Sequence, residues 1–338
     1  MRNAIRRGAI PTGIPGLIII LSSLLVAALS PARAQTVSLD ELLSAVVHIK
    51  TSINPDGRSV ANLGRNRDGT GIVIDDDGLI LTIGYLMVEA ESAEVITGDG
   101  RAVPANVVGY DHESGFGLLR AIMPLKVRPL ALGHSADVKE KDPVVIVGHG
   151  GRGRVARAEV VSRRAFAGGW EYLLDDAIYT WPPYPEWSGA ALVDRSGKLV
   201  GVGSLILKDA SGQGEPGNMF VPIDRLSPIM ADLIADGRIS GPGRPWLGVT
   251  TQELGGRLVV ASVASGGPAE KAGIRHGDII EKIGSAAPKD MEDFYRKIWA
   301  QGSAGVTIPL DVRRADESRH FEVKSMNRLD HLRLKSTY

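Results

Sequence analysis

From residue 46 to about residue 225 the apolar residues come in short runs, each closed off by turn residues. Gly71-Ile72-Val73-Ile74, Leu79-Ile80-Leu81-Thr82, Ala93-Glu94-Val95-Ile96, Val144-Val145-Ile146-Val147, Ala191-Leu192-Val193 and Leu199-Val200-Gly201-Val202 are examples. Asp77-Gly78, Asp99-Gly100 and Ser196-Gly197 separate them. Many short runs with this punctuation predict an all-β barrel or sandwich. The 41 glycines outnumber every aromatic type, as a turn-rich, strand-rich chain requires.

Helical periodicity is confined to a few places. Within residues 39–50, the stretch from Leu39-Asp40-Glu41-Leu42-Leu43 onward has helical spacing and then turns β-rich at Val46-Val47-His48-Ile49. Leu226, Ile229, Met230, Leu233 and Ile234 recur at a period of 3.6 and predict one amphipathic helix over 226–236. Gly241-Pro242-Gly243-Arg244-Pro245 then breaks every pattern, which marks 238–245 as a linker. At 338 residues the chain has the length of two domains, at about 150 residues each. Beyond the linker, strands are expected at Trp246-Leu247-Gly248-Val249, Leu258-Val259-Val260, Ile279–Ile283, Val306–Leu310 and His320–Val323. Helices are expected over Pro268–Ala272, closed by Gly273, and over 289–301. The polar tail 329–338 is expected to be loose.

Residues 1–34 read as an address. Arg2, Arg6 and Arg7 precede an apolar run from Leu17 to Leu29, and Pro31-Ala32-Arg33-Ala34 supplies an Ala-x-Ala cleavage site. The apolar core is shorter than the ~20 residues of a spanning helix, so membrane attachment arises only if this segment stays uncleaved. Cleavage after Ala34 removes four arginines and no acid. That leaves 35 basic against 39 acidic side chains, a charge of −4 in place of zero. The expected location is the periplasm or the cell exterior. The absence of cysteine fits an oxidising compartment and excludes disulfides, thiolate metal sites and a thiol nucleophile. The charge balance gives no support for nucleic-acid binding. The seven histidines show no ligand spacing such as His-Glu-x-x-His, so neither a metal nor any other cofactor is implied.

The module after the linker, residues 246–328, resembles a PDZ domain of the circularly arranged bacterial kind. The resemblance rests on Trp246-Leu247-Gly248-Val249, on Ser265-Gly266-Gly267-Pro268-Ala269-Glu270-Lys271-Ala272-Gly273-Ile274 and on Gly277-Asp278-Ile279-Ile280. It implies an α+β fold that binds extended peptides by strand addition. The backbone amides of Leu247, Gly248 and Val249 would receive a C-terminal carboxylate, and the helix over 289–301 would form the other groove wall. On the bland reading, Leu247 and Val249 are core strand residues.

Residues 39–237 resemble the trypsin-like protease domain of the HtrA (Deg) family, a double β-barrel. Gly69-Thr70-Gly71-Ile72-Val73-Ile74-Asp75 and Asp77-Gly78-Leu79-Ile80-Leu81-Thr82 match the strands that lead to the family's catalytic histidine. Asp99-Gly100-Arg101 and Val107-Val108-Gly109-Tyr110-Asp111 match the approach to its aspartate. Trp187-Ser188-Gly189-Ala190-Ala191-Leu192-Val193 matches the nucleophile segment. The family writes Thr-Asn-x-His-Val, Asp-x-x-x-Asp-Ile-Ala-Leu and Gly-Asn-Ser-Gly-Gly. On that pattern Ser188 keeps the nucleophile position, Tyr85 takes the histidine's, Gly115 takes the aspartate's, and Glu186 replaces a glycine of the oxyanion hole.

Each replacement bears on the chemistry. A serine hydroxyl needs a base to take its proton, and that base needs a carboxylate to orient it. An ordinary tyrosine, with a pKa near 10, is about 4 kcal/mol from serving as a phenolate at pH 7. Gly115 has nothing with which to orient a base, and a carboxylate at 186 would repel an oxyanion. Trp181-Pro182-Pro183-Tyr184-Pro185 also stiffens the loop before Ser188. The expectation is therefore a pseudoprotease that binds protein C-termini or misfolded segments through its PDZ domain. One alternative is an active serine endopeptidase of envelope quality control using Ser188 with an unrecognised base. The other is a regulatory subunit in oligomers of active HtrA-like chains; the resemblance implies trimers.

Plainer readings stand beside these. Most Ser-Gly pairs are turns. His149, in the glycine-rich loop Gly148–Gly153, is a candidate substitute base, although loop histidines are usually just solvated. The same loop lacks the Lys-[Ser/Thr] of a phosphate-binding P-loop. His112 and Glu113 are expected at the surface. Trp181 and Trp187 are read either as filling the former specificity cleft or as core packing.

Overall fold

A computed structural model of the chain describes residues 38–334. The expected signal segment 1–34 lies outside the described residues. The first element, α1 (Leu39–Ala45), is short but well capped. Ser38 Oγ accepts from the Glu41 amide and the Glu41 carboxylate accepts from the Ser38 amide, a reciprocal capping box.

Among the described residues seventeen strands follow, and twelve of them form two closed antiparallel barrels. The first contains β1 (Val46–Ile53), β2 (Asn66–Val73), β3 (Leu79–Ile83), β4 (Ala90–Ile96), β5 (Ala102–Tyr110) and β6 (Phe116–Ala121). A single helical turn, α2 (Val60–Leu63), interrupts the β1–β2 connection. Strands run in the order β1-β2-β3-β6-β5-β4, and β4 closes back on β1 through pairs such as Ile49–Val95. The second barrel contains β7 (Pro143–Val147), β8 (Val155–Gly168), β9 (Tyr172–Trp181), β10 (Ala191–Val193), β11 (Leu199–Leu207) and β12 (Gly217–Pro222). Its order is β10-β11-β12-β9-β8-β7, with β7 closing on β10. The double β-barrel is the expected fold.

The barrels explain why several strands are apolar on both faces. Along β3, Ile80 points into the first barrel among Val47, Ile49, Val95, Val103 and Leu119. Leu79, Leu81 and Ile83 point the other way, into a core shared with Val147, Tyr179, Val202 and Val221 of the second barrel. The period of two is intact, but each face finds an apolar partner, so nothing is left to be polar. β12 mirrors this: Phe220 fills the second barrel, and Met219 and Val221 join the shared core. The two barrels therefore meet through strands buried on both faces.

α3 (Met230–Asp236) closes the barrel region, with Gly237 as its left-handed C-cap at φ +70°. It starts four residues later than the periodicity predicts. Pro228 has no amide proton to give, and residues 226–229 stay in turns after a 3₁₀ turn at Ile223–Arg225.

The C-terminal module is a five-stranded sheet in sequential order: β13 (Val249–Leu254), β14 (Arg257–Val263), β15 (Ile279–Ile283), β16 (Thr307–Arg314) and β17 (Glu317–Lys324). α4 (Pro268–Ala272) carries Pro268 in its first turn and ends on Gly273 at φ +96°. α5 (Met291–Trp299) is capped by the Asp290 side chain and is two residues shorter at each end than 289–301. Residues 246–248 were expected to be strand and are not. Trp246 makes an isolated bridge to Met326, and Gly248 turns the backbone at φ +81° before β13 begins. The segment after Arg328, expected to be loose, instead opens with a helical turn, α6 (Arg328–His331), capped by Asn327. His331 is buried with its ring 4.7 Å from that of Trp246. Residues 335–338 lie outside the described residues.

Candidate active site and peptide groove

Ser188 sits in the turn that leads into β10, where the two barrels meet. Its carbonyl accepts from the Thr70 amide at 2.8 Å, which ties the loop to β2. Gly189 follows at φ +75°, and a Cβ there would fall 2.0 Å from the Thr70 carbonyl oxygen. Only glycine fits, which is the physical content of the Ser-Gly pair.

Tyr85 approaches Ser188 from the other barrel, on a 3₁₀ turn (Gly84–Leu86) directly after β3. Its Oη lies 2.9 Å from Ser188 Oγ and 3.0 Å from the Ser204 carbonyl oxygen. A phenol has one proton, and a carbonyl can only accept. Tyr85 is the donor in both contacts, so its single proton is shared between Ser188 Oγ and the Ser204 carbonyl, which also accepts from Trp187 Nε1. Ser188 Oγ thus faces a proton-bearing phenol and not a base. Burial pushes the Tyr85 pKa up to about 12. Making a phenolate at pH 7 thus costs about 7 kcal/mol, more than the 4 kcal/mol read from an ordinary tyrosine.

Gly115 lies on the far side of that turn, where its carbonyl accepts from the Gly84 amide at 2.7 Å. Its φ is +82°, and a Cβ would stand 3.3 Å from the Tyr172 hydroxyl and 3.4 Å from Ile83. Tyr172 in turn donates to the Ser114 carbonyl at 2.9 Å. The carboxylate nearby, Asp111, is buried and accepts from the Glu113 and Ser114 amides. It holds its own loop together.

Glu186 forms an ion pair with Arg154, and it is not among the described non-glycine residues with positive φ. His149 does enter this neighbourhood. Its Nδ1 is 3.0 Å from Thr70 Oγ1, and its ring stacks on His48 at 4.0 Å. Burial, then the His48 charge, lower its pKa to about 4, so it is neutral at pH 7. The hydrogen bond that orients it goes to Thr70, while Tyr85 occupies the Ser188 hydroxyl. Trp187 donates from Nε1 to the Ser204 carbonyl at 3.1 Å, whereas Trp181 is exposed and fills no cleft. His112 is not on the surface as expected. Its Nδ1 is 3.0 Å from the Tyr110 hydroxyl, and its Nε2 lies 3.1 Å from the Glu171 carbonyl oxygen and 2.7 Å from Arg328. Desolvation, then Arg328, hold its pKa well below the usual value.

The second site is the loop before β13. Leu247 and Val249 bury their side chains in the module's core, as the bland reading has it, while their amides face a carboxylate. Leu247 N donates to Glu171 Oε2 at 2.9 Å, and Gly248 N and Val249 N donate to Glu171 Oε1 at 2.6 and 2.9 Å. Glu171 belongs to the tip of the β8–β9 hairpin, in the other domain. Burial raises its pKa to about 7, against the opposing pull of these amides and Arg328. Its part in the site was missed from sequence, where Gly168-Gly169-Trp170-Glu171 reads only as a turn.

Two six-stranded barrels meeting at Ser188, with a five-stranded carboxylate-binding module behind them, define a trypsin-like peptidase fold joined to a PDZ domain. Comparison with known proteins agrees. A trypsin-like peptidase domain model matches residues 69–202, and a PDZ domain model matches residues 245–325. The chain belongs to the HtrA family of PDZ-containing trypsin-like proteins. A probable periplasmic serine endoprotease, DegP-like, of Rhizobium meliloti is 30% identical over 285 residues, covering 78% of this chain and 54% of that protein. The protein of the same name in Brucella suis is 28% identical over 272 residues, covering 75% and 52%. The chain thus spans about half the length of these curated relatives. Among solved structures, the HtrA-type protease AlgW with decapeptide has the same fold. It superposes with a TM-score of 0.51 at 22% identity, over 89% of this chain and 100% of that one.

Proposed function

We propose that this HtrA-like chain is an exported pseudoprotease that binds protein C-termini or misfolded segments through its PDZ domain. The observation that carries the loss of hydrolysis is Tyr85 Oη at 2.9 Å from Ser188 Oγ. A base that must take a proton is replaced by a group that keeps its own. Attack on a carbonyl would require Ser188 to give its proton to a phenol oxygen with no affinity for it at neutral pH. The glycine conformation at 115 gives no carboxylate through which another base could be oriented.

The binding half of the reading is supported by three converging amides at Leu247, Gly248 and Val249, which hold a carboxylate. A C-terminal carboxylate presents the same two oxygens, and an extended peptide can add main-chain hydrogen bonds along β13. Periplasmic location is supported by the sequence of residues 1–34 and by the names of the relatives.

An active peptidase remains the second reading because His149 is held only one side chain away, on Thr70, whose amide contacts Ser188. Incubation of the purified mature chain with unfolded casein tests hydrolysis, and a C-terminal peptide array tests binding. The proposal expects intact casein and retained peptides. Casein fragments that disappear in Ser188→Ala would favour the peptidase reading.

A further inference from the structure

We propose that the chain's own β8–β9 hairpin closes its peptide groove, with Glu171 standing in for a C-terminal carboxylate, and that a client C-terminus binds by displacing it. This rests on reading the loop at 247–249 as the carboxylate receptor.

The hairpin engages the 247–249 loop, β13 and α5 together. At the loop, the Glu171 carboxylate takes the three amide donors. Along β13, the Thr251 amide donates to the Gly169 carbonyl at 2.8 Å, a main-chain bond of the kind strand addition makes. On the opposite wall, Tyr295 of α5 donates to the Gly168 carbonyl at 2.7 Å and accepts from the Glu171 amide at 3.1 Å. Leu173 is buried in the module's apolar core, with Ala165 and Ala167 packed against it. A carboxylate, main-chain pairing and an apolar side chain arrive together.

The local backbone is shaped for this contact. Glu171 has φ +57°, a conformation that L-residues rarely adopt, at a turn whose own pairing (Gly168 with Tyr172) does not need a glutamate. A Cβ at Gly169 would fall 2.2 Å from the Thr251 carbonyl oxygen, so only glycine lets the hairpin tip lie against β13. Arg328 then fastens the tip from outside by donating to the Trp170 carbonyl at 2.6 Å. Both ends of the contact are buried: Glu171 is 3% exposed.

The internal occupant also describes the client. A free carboxylate with an apolar side chain beside it reproduces Glu171 and Leu173, so the proposal specifies extended peptides with an apolar C-terminal residue. An internal ligand competes at an effective concentration on the order of millimolar, and the apparent affinity for a free peptide falls by the fraction of molecules left open.

The experiment compares full-length mature protein with Glu171→Ala and Glu171→Gln. Each is titrated with fluorescein-labelled decapeptides ending in Val, Leu or Phe, either as free acids or as C-terminal amides. Hydrogen exchange of the peptide spanning 246–251 is followed in parallel without ligand. The expected result is tighter binding of the free acids by Glu171→Ala, about tenfold or more over wild type. Glu171→Gln falls between the two, amides bind poorly throughout, and exchange at 247–249 is faster in both variants. Equal affinities in all three proteins, or equal exchange, would overturn the closure and leave the receptor reading standing. Binding by none of them, with exchange still accelerated in the variants, would overturn displacement by a C-terminus together with that reading.

Discussion

The Tyr85 hydroxyl stands 2.9 Å from the Ser188 hydroxyl, across the junction of two barrels whose facing strands are buried on both sides. The Ser204 carbonyl fixes its other side at 3.0 Å, so the pair belongs to a three-group chain. On the proposed reading, the geometry of a nucleophile with its partner is kept while the chemistry of that partner is lost.

Removing the phenol oxygen should not create an enzyme. Tyr85→Phe loses one buried hydrogen-bonding group and is expected to cost about 1 kcal/mol in urea denaturation, with no gain in casein cleavage. Tyr85→His restores an imidazole but no carboxylate to orient it, a defect worth about 10⁴ in rate in trypsin-type triads. Adding Gly115→Asp should not rescue it fully, because residue 115 sits at φ +82° with Tyr172 and Ile83 against its Cβ. A lower melting temperature for the double variant than for Tyr85→His checks this.

Gly169→Ala tests the hairpin without touching any polar group. The added methyl collides with the Thr251 carbonyl oxygen, so the tip should lift from β13 while the barrels stay folded. The expected result is faster hydrogen exchange at 168–172 and 247–251, with unchanged exchange in β3 and β10.

Glu171 also gives a signed pH dependence. Its folded pKa of about 7 lies above the ordinary 4.5, so the folded chain holds this proton more tightly than the unfolded one. Stability from this group is fully present below about pH 4.5 and is lost as pH rises to about 7. The groups facing it are Arg328, Tyr295 and His112, with Glu113 and Arg244 lining the same small cavity. His112, with its lowered pKa, works in the opposite direction but is common to wild type and Glu171→Gln. The stability of Glu171→Gln relative to wild type should therefore rise between pH 4.5 and 7 and level off above. A flat difference would remove the burial argument.

In the PDZ module, Asp278 is fully buried and accepts from Arg314 through both oxygens, at 2.7 and 2.8 Å. Asp278→Ala leaves a guanidinium facing an empty site and should destabilise the module by about 3 kcal/mol, read from denaturation. The Arg314 and Arg275 hydrogen bonds hold the Asp278 pKa below 3.8, against desolvation, so this stability should persist down to about pH 4 and fade below it.

Much of this fold is legible in sequence because its signals are local. Asp77-Gly78 and Ser196-Gly197 make the turns they announce, and Gly273 caps the helix that Pro268 opens. The positions read from the histidine and nucleophile motifs also meet in space: Tyr85, six strands before Ser188 in the chain, reaches it through the interbarrel contact. The failures are non-local. Gly248 breaks the expected strand because its backbone must turn amides toward a carboxylate supplied from residue 171. His112 reads as a surface residue until Arg328 and the β8–β9 hairpin close over it, and the tail carrying His331 reads as loose until α6 sets that ring against Trp246. No pattern along β8 or β9 says that their hairpin tip fits a groove in another domain.

Covalent labelling of Ser188 bears most directly on the central claim. A fluorophosphonate reports whether the hydroxyl can be activated, independent of substrate sequence and of the state of the peptide groove. The mature wild-type chain, Ser188→Ala and Tyr85→Phe are incubated with the probe at pH 7.5 and followed by intact mass. The account requires no labelling of wild type above the Ser188→Ala background. Stoichiometric labelling of wild type that Ser188→Ala abolishes would contradict it.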